Sequence, residues 1–394
     1  MPTSECPAEF LTAALPELRT WPDRPTAADI DPLPNTPAVY LLVDAGGAAI
    51  QLATTQSLRR LLSARLVDPQ PRAGKADLAA ITRGVRWRPV ATAFEGRWWY
   101  YRLARALYPG RYRHLVSFGP ARFLHVDWAE PVPEVRVTER IWCLPGEFIG
   151  PWPSYRAAQK ALVGLWDLFD LCRHPEQVRQ APRGIRCAYA EMGRCDAPCD
   201  GTTPLTAYVA RCRAAWAFAA GGVGTWLATA TQRMQVAARE QRFELAGQIK
   251  QQLTFARHWQ SHWAATVRPE AQLNCLLGLP VTRRKAWKLF LFRQGHLEEG
   301  PVLPQRRLGA DAVTWLREQL AQAPAALDGT VRMEQTWLLS QLLTSRTMDT
   351  ALLFWLPTLE VPSDLAAGLV ERAERVRSAR ADSGPQSTGG DATP

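Results

Sequence analysis

The chain contains no run of eighteen or more apolar residues, so no segment of it reads as a membrane-spanning helix. Its start, Met1 to Arg24, has neither the basic stretch nor the apolar stretch of a secretory signal. The reading is therefore a cytoplasmic protein with no membrane partner. Lysine is scarce: only five of the 47 basic residues are Lys, and the rest are Arg. No internal repeat is visible. Charged residues make up 21% and hydrophobic residues 47%, which excludes global disorder and supplies enough apolar mass for packed cores. The eight cysteines include no C-x-x-C pair, which argues against a zinc ribbon, and disulfides are improbable in a reducing compartment.

What is present is a chain of 394 residues with a net charge of +10. At roughly 100–200 residues per domain this length holds two to four domains. The charge suits a polyanionic partner, nucleic acid first, although proteins that bind nothing anionic can share this balance. Sixteen tryptophans are enough to fill several cores, and an exposed one can stack on a base.

Hydrophobic periodicity divides the chain into an α+β multidomain arrangement. Residues 1–33 form a helix-like, Pro-rich extension. Residues 34–118 read as a small α/β domain: a strand at Ala38 to Val43, a turn at Asp44 to Gly47, a returning strand from Ala48, and helices at Gln56 to Leu66 and Trp98 to Tyr108. A linker and Cys-rich region covers 119–204, with a strand at Glu134 to Val137 and a helix from Ser154 to Leu171. Residues 205–262 are helical and broken near Gly221 and Gly222, 263–308 are a small β segment turning at Gln294-Gly295, and 309–377 return to helix. The tail, 378–394, has the composition of a disordered segment.

Four cysteines, Cys172, Cys187, Cys195 and Cys199, fall within 28 residues. Four soft thiolates close a tetrahedral zinc site or hold an iron–sulfur cluster, and the neighbouring Arg186 and Arg194 favour the thiolate form. The spacing alone also suits four ordinary buried thiols. Further along, Met234 to Ile249 carries apolar and small residues at helical spacing, as one hairpin of a helical bundle does.

Three stretches carry a more specific likeness. Cys187-Ala-Tyr-Ala-Glu-Met-Gly-Arg-Cys195-Asp-Ala-Pro-Cys199-Asp-Gly201, preceded by Phe148-Ile-Gly-Pro-Trp-Pro-Ser154, resembles the Cys-rich run of the UvrC family of excinucleases. Met234-Gln-Val-Ala-Ala-Arg-Glu-Gln-Arg-Phe243-Glu244-Leu-Ala246-Gly-Gln-Ile249 resembles the UVR motif of the same family, although its usual Arg-Asp pair is missing. Pro37-Ala38-Val39-Tyr40, with Asp44 and Gly47 and then Ile50-Gln51-Leu52-Ala53-Thr54, is similar to the opening of a GIY-YIG nuclease domain. The likeness runs over roughly residues 34–303, strongest at 148–250.

The resemblance implies an iron–sulfur cluster of the 4Fe-4S type on Cys172, Cys187, Cys195 and Cys199, with zinc as the fallback. It implies contact with UvrB through Phe243, Glu244, Ala246 and Ile249. It also implies a DNA partner, which Arg102, Arg105, Arg111 and Arg113 are placed to bind by their phosphates; a merely solvated face is the alternative for these arginines.

The nuclease chemistry is eroded. The second Tyr of the motif is Gln51, its Gly is Ala53 and its Lys is Thr54, while the metal-binding Glu falls by count near Tyr101. A hard Mg²⁺ ion needs that carboxylate. What remains for catalysis is Tyr40, Arg59, Arg60 and Glu95, and Glu95 at a helix start suits a capping role as well. The expectation is a repair-associated protein that binds DNA or UvrB without cutting. The alternatives are a working Mg²⁺-dependent endonuclease with a rearranged site and a structural metalloprotein with no DNA role. After residue 303 the acids are scattered on helical segments, without the strand-borne Asp cluster of the family's second nuclease site.

Overall fold

A computed structural model describes residues 8–68, 77–281, 285–324 and 326–382. It contains three four-stranded sheets, all antiparallel, with helices between and around them. The mixed helix-and-sheet architecture is as the sequence implies.

The first sheet has the order β1-β4-β2-β3, formed by β1 (Glu17–Thr20), β2 (Ala38–Val43), β3 (Ala49–Thr55) and β4 (Gly84–Pro89). β2 is buried along its whole length because both faces are covered. Period-two alternation sends Val39, Leu41 and Val43 to one face, against Phe94 and Trp98 of the Ala93–Leu107 helix. Ala38, Tyr40 and Leu42 go to the other, under Leu58, Leu62 and Leu66. The β2–β3 turn is shaped by Asp44, whose carboxylate accepts from the backbone N–H of Gly46 at 2.9 Å and of Ala48 at 2.8 Å. The N-terminal 33 residues are no loose extension: β1 lies within them and pairs with β4 from Glu17 opposite Trp87 to Thr20 opposite Gly84.

The second sheet, β6-β5-β7-β8, consists of β5 (Arg122–Val126), β6 (Arg136–Thr138), β7 (Glu147–Trp152) and β8 (Arg268–Pro269). The Tyr155–Leu168 helix starts where the Ser154 hydroxyl accepts from Ala157 N at 3.1 Å. It buries Ala158, Ala161, Leu162 and Leu165 against this sheet. Here the tryptophans serve as core: Trp152 meets Trp259 and Trp263 edge-on, with centroids 5.3 and 4.8 Å apart. Gly221, at φ 133°, breaks the helical region between Leu205–Ala217 and Val223–Arg239, in a conformation open to glycine.

The third sheet, β11-β10-β9-β12, holds β9 (Cys275–Pro280), β10 (Ala286–Arg293), β11 (His296–Pro304) and β12 (Leu352–Trp355). The Gln294-Gly295 turn has φ 50° and 83°, the left-handed pair that a tight hairpin requires. One face of the sheet packs on the Leu308–Leu320 and Leu365–Asp382 helices. The other presents Cys275, Leu277, Phe290 and Phe292 to the Gly329–Leu343 helix.

Two expectations for the C-terminal part change. Residues 309–377 are not helix throughout, because β12 interrupts them to pair with β9. The last helix continues to Asp382, beyond the expected start of the tail. The rest of the tail, from residue 383, lies outside the described residues.

The central apolar cluster draws on all three sheets, and two polar ties cross it. Glu334, fully buried on the Gly329–Leu343 helix, accepts from Tyr101 Oη at 3.0 Å, Tyr112 Oη at 2.8 Å and Arg113 Nε at 2.8 Å. Lys288 of β10 bridges Glu95 at 3.1 Å and Glu299 at 2.6 Å. Burial raises the Glu95 carboxyl more than Lys288 lowers it. For Glu299, burial pushes the same way but the hydrogen bond and charge of Lys288 outweigh it and hold it below the usual range.

Lys288→Met leaves these two carboxylates without their cation. The expected loss is about 3–5 kcal/mol at neutral pH. Without Lys288 nothing offsets the burial that raises the Glu95 carboxyl, so stability is fullest at acid pH and falls as pH rises through its folded-state value. Urea midpoints at about pH 5 and about pH 7.5 should show the variant regaining stability at the lower pH relative to the parent.

Candidate functional site

The face that the sequence reading assigns to catalysis is built on β2 and β3. Tyr40 and Gln51 share one face, since Leu42 pairs with Gln51 and Tyr40 with Ala53. Arg65 joins them: its Nη1 lies 3.1 Å from Gln51 Oε1 and 3.5 Å from Tyr40 Oη. Burial raises the Tyr40 phenol, and the Arg65 charge partly offsets it. Sequence periodicity missed Arg65. It sits in a wide π-type turn, Ser63–Val67, that continues the Leu58–Leu62 helix, and a widened turn changes which residues share a face.

The residues read from sequence stand elsewhere. Arg59 Nε donates to the Leu33 carbonyl at 2.7 Å, and Arg60 is exposed. Glu95 lies on the Ala93–Leu107 helix, which packs on the opposite face of the sheet from Tyr40. It accepts from Ala91 N at 2.6 Å beside the Thr92 cap, and its other oxygen faces Lys288. Tyr40 and Glu95 are therefore not brought together, and Glu95 is held as a helix-start acceptor in a buried ion pair.

Two of the four candidate DNA-binding arginines are paired with acids of the protein, and the other two lie over aromatic rings. Arg113 is bound to Glu334. Arg105 faces Asp328 at 3.7 Å. Arg102 stacks over Trp99 at 4.5 Å and near Trp98 at 5.7 Å, with no carboxylate in ion-pair range among the described residues. Arg111 is exposed, with its guanidinium 5.1 Å from the Tyr108 ring.

The Cys-rich segment wraps the end of the Tyr155–Leu168 helix. Cys172, Cys195 and Cys199 are buried and Cys187 is half-buried. The loop is shaped by Ala197 at φ 49° and Gly201 at φ 83°, on either side of the Pro198–Asp200 turn. Gly184 is pressed against it: a Cβ there would come within 2.9 Å of the Cys199 carbonyl. Backbone N–H groups face the sulfurs, with His174 N donating to Cys172 Sγ at 3.4 Å. Cys172 also hydrogen-bonds Cys195, which pulls the Cys195 thiol down to about 6 while Cys172 rises. Arg186 pairs with Asp200 at 3.2 Å rather than with a sulfur.

Soft donors, burial and N–H groups aimed at sulfur are what a thiolate-held group requires. Among the described residues, no three His, Cys, Asp or Glu side chains are gathered closely enough to hold a metal ion.

The Val223–Arg239 and Phe243–His262 helices form an antiparallel hairpin. At its turn Gln241 adopts φ 59°, and Arg242 N returns to the Ala237 carbonyl at 2.9 Å, closing the first helix. Ile249 is buried in the hairpin with Ala230 and Leu253. Phe243 is 70% exposed at the tip, near exposed Glu244, half-buried Ala246 and the partly exposed apolar residues Val236 and Leu245.

Residues 122–218, which hold three of the four strands of the second sheet and all four of these cysteines, match the family described as UvrC/Cho excinuclease, middle domain. The UvrABC system protein C of Syntrophus aciditrophicus (strain SB) is 27% identical over 228 residues, 57% of this chain and 36% of that protein. The protein of the same description from Aromatoleum aromaticum is 24% identical over 298 residues, 74% of this chain and 48% of that protein. That from Chlamydia trachomatis serovar D is 28% identical over 232 residues, 57% and 38% respectively. The chain thus spans about a third to a half of the length of these relatives. No solved structure matches it.

The hairpin separates two apolar roles, one internal and one outward. Ile249→Ala should cost about 2–4 kcal/mol, from the cavity it leaves. Phe243→Ala should stay within about 0.5 kcal/mol, because the ring touches solvent more than protein. Denaturant unfolding of the two variants measures the difference.

Proposed function

We propose that this relative of UvrC is a nucleotide-excision-repair protein that binds DNA and UvrB and makes no incision itself. The observation that carries the reading is the match of residues 122–218 to the UvrC/Cho middle domain. The absence of cutting is supported by Glu95, which is locked to Lys288 and lies across the sheet from Tyr40. Phosphodiester hydrolysis needs a metal carboxylate, an activated nucleophile and a stabilising cation at one place. Only Tyr40 and Arg65 meet here, with Gln51 in place of a second tyrosine. That pair is also what favours the second reading, an endonuclease with a rearranged site that would take Mg²⁺. In the first reading the exposed Phe243, flanked by Glu244, is the apolar anchor for the UvrB helices, with Ile249 holding the hairpin behind it.

The same reading assigns Cys172, Cys187, Cys195 and Cys199 to an iron–sulfur cluster, with zinc as its substitute. When bound, the group cross-links the helix end to the two loops that follow it. The chain's part is to keep the sulfurs dry and to point the His174 N–H at one of them. A structural metalloprotein without a DNA role would share these features, and DNA binding separates the two.

Two measurements test the proposal. The first is an incision assay in Mg²⁺ on damaged duplex DNA, with and without UvrA and UvrB, beside DNA-binding titrations over a range of salt. No incision is expected, with affinity that falls as salt rises. Incision by the protein alone would overturn the non-cutting reading, and salt-independent or absent DNA binding would overturn the DNA role.

The second is iron and acid-labile sulfide analysis of anaerobically purified protein. Iron and sulfide together are expected, with both lost in Cys195→Ser. Zinc without sulfide, or no metal, would remove the cluster.

A further inference from the structure

Residues 201–269 carry eight basic side chains and only two acids, Glu240 and Glu244, both at the turn of the helical hairpin. The whole chain has 47 basic and 37 acidic residues, so more than half of its net charge of +10 comes from this stretch. The Tyr155–Leu168 helix has no acid before Asp167.

The Tyr155–Leu168 and Phe243–His262 helices lie side by side. Gly164 lets them approach, since a Cβ there would strike the Phe255 ring. Lys160 stands near His258, whose imidazole is lowered by burial, by His262 and by the Lys160 charge. The step from 160 to 164 on one helix therefore runs from 258 to 255 on the other, and the two are antiparallel. Both bury one side in the same core, with Ala161 and Leu165 from the first and Ala256 and Trp259 from the second. Their other sides face solvent.

On that outer side the cations stand in rows. Arg156 and Lys160 are one turn apart, and Lys250 and Arg257 are two turns apart on one stripe, with Thr254 between. All four are exposed, and among the described residues none has a carboxylate in ion-pair range. The acids nearest in sequence are engaged elsewhere, Asp167 with Arg173 and Glu240 with Arg242. Lys250 and Arg257 are separated by about 10 Å along the helix, about three rises of 3.4 Å along one DNA strand.

The face offers little else to a partner. From Tyr155 to Trp166 and from Gly247 to His262, the large apolar side chains exposed are Tyr155 and Val163. That is too little for an apolar protein surface or for insertion into lipid. A single-strand groove needs a series of free rings on which successive bases stack. Tyr155 is one ring, with the Arg122 guanidinium over it at 5.8 Å and Gln159 donating to its hydroxyl at 2.6 Å.

We infer that duplex DNA docks on this face, with backbone phosphates on Arg156, Lys160, Lys250 and Arg257. The inference rests on the reading of this chain as a DNA-binding UvrC relative. It puts the contact on the middle helices rather than on the first domain, where Arg105 and Arg113 already pair with acids. Helices hold the four cations at fixed spacings, which suits a stiff, regular polyanion and reads no sequence.

The test is fluorescence anisotropy of the full chain with a labelled duplex of about 20 base pairs, longer than the roughly 30 Å of a twenty-residue helix. A single strand of the same length runs beside it, and both are titrated over a range of salt. The variants are Lys160→Gln with Arg257→Gln, and Arg156→Gln with Lys250→Gln. Arg306→Gln with Arg317→Gln removes the same charge from exposed sites near the third sheet and serves as the control. Melting temperatures are checked first.

The duplex is expected to bind more tightly than the single strand. Each pair of substitutions on the face should weaken duplex binding by about tenfold and flatten the salt slope by about 1.8, while the control changes neither. Unchanged duplex affinity in the folded face variants, or an equal loss in the control, would overturn this face as the site and leave the DNA role standing. Tighter binding of the single strand would overturn the duplex as its occupant. No binding of either form by the parent protein would overturn the DNA reading as well.

Discussion

Glu334 has no exposed surface, and its two oxygens accept hydrogen bonds from Tyr101, Tyr112 and Arg113. A carboxylate taken out of water in this way needs donors in place of water, and three donors take that place. All three donors belong to the N-terminal part of the chain, while Glu334 sits on a helix that also packs on the third sheet. The bond set therefore fixes how the C-terminal sheet meets the first domain. Tyr101 and Tyr112 also line a cleft of about 1170 Å³. The sequence reading expected a metal carboxylate near Tyr101. Here a phenol stands there, and the nearest carboxylate oxygen comes from another part of the molecule and is already committed.

In the first domain the apolar packing and the polar groups can be read separately. β2 still alternates between two apolar layers, so the sheet is specified whatever the surface chemistry does. Tyr40 is a buried core residue with a guanidinium at its hydroxyl. Glu95 faces the other layer and neutralises Lys288 together with Glu299. Arg113 and Arg105, which a surface reading assigns to phosphates, pair with acids of the same chain.

Much of this was legible in the sequence where the signal is local. The β2 run, the Asp44–Gly47 turn, the Gln294-Gly295 hairpin and the break at Gly221 all rest on residues within a few positions of each other. The Cys-rich run was legible through its composition. What could not be read was pairing at a distance. β1 and β4 are short and carry mixed residues, and they become strands because they lie beside each other and beside β2. β12 reads like part of a helical stretch, and only its place beside β9 makes it extended. Arg65 was missed because a π-type turn shifts the helical period, and the partners of Glu95, Arg105 and Arg113 are far away in sequence.

β12 has a consequence for how the protein is made. Synthesis runs from the N-terminus, so β9, β10 and β11 emerge as a meander well before Leu352 to Trp355 leave the ribosome. Until then the outer edge of β9 has unpaired N–H and C=O groups and side chains such as Leu276 and Leu277 with half their packing missing. An open apolar strand edge invites pairing with another chain. The nascent protein thus passes through an interval of adhesiveness whose length is set by the time taken to translate the segment between β11 and β12.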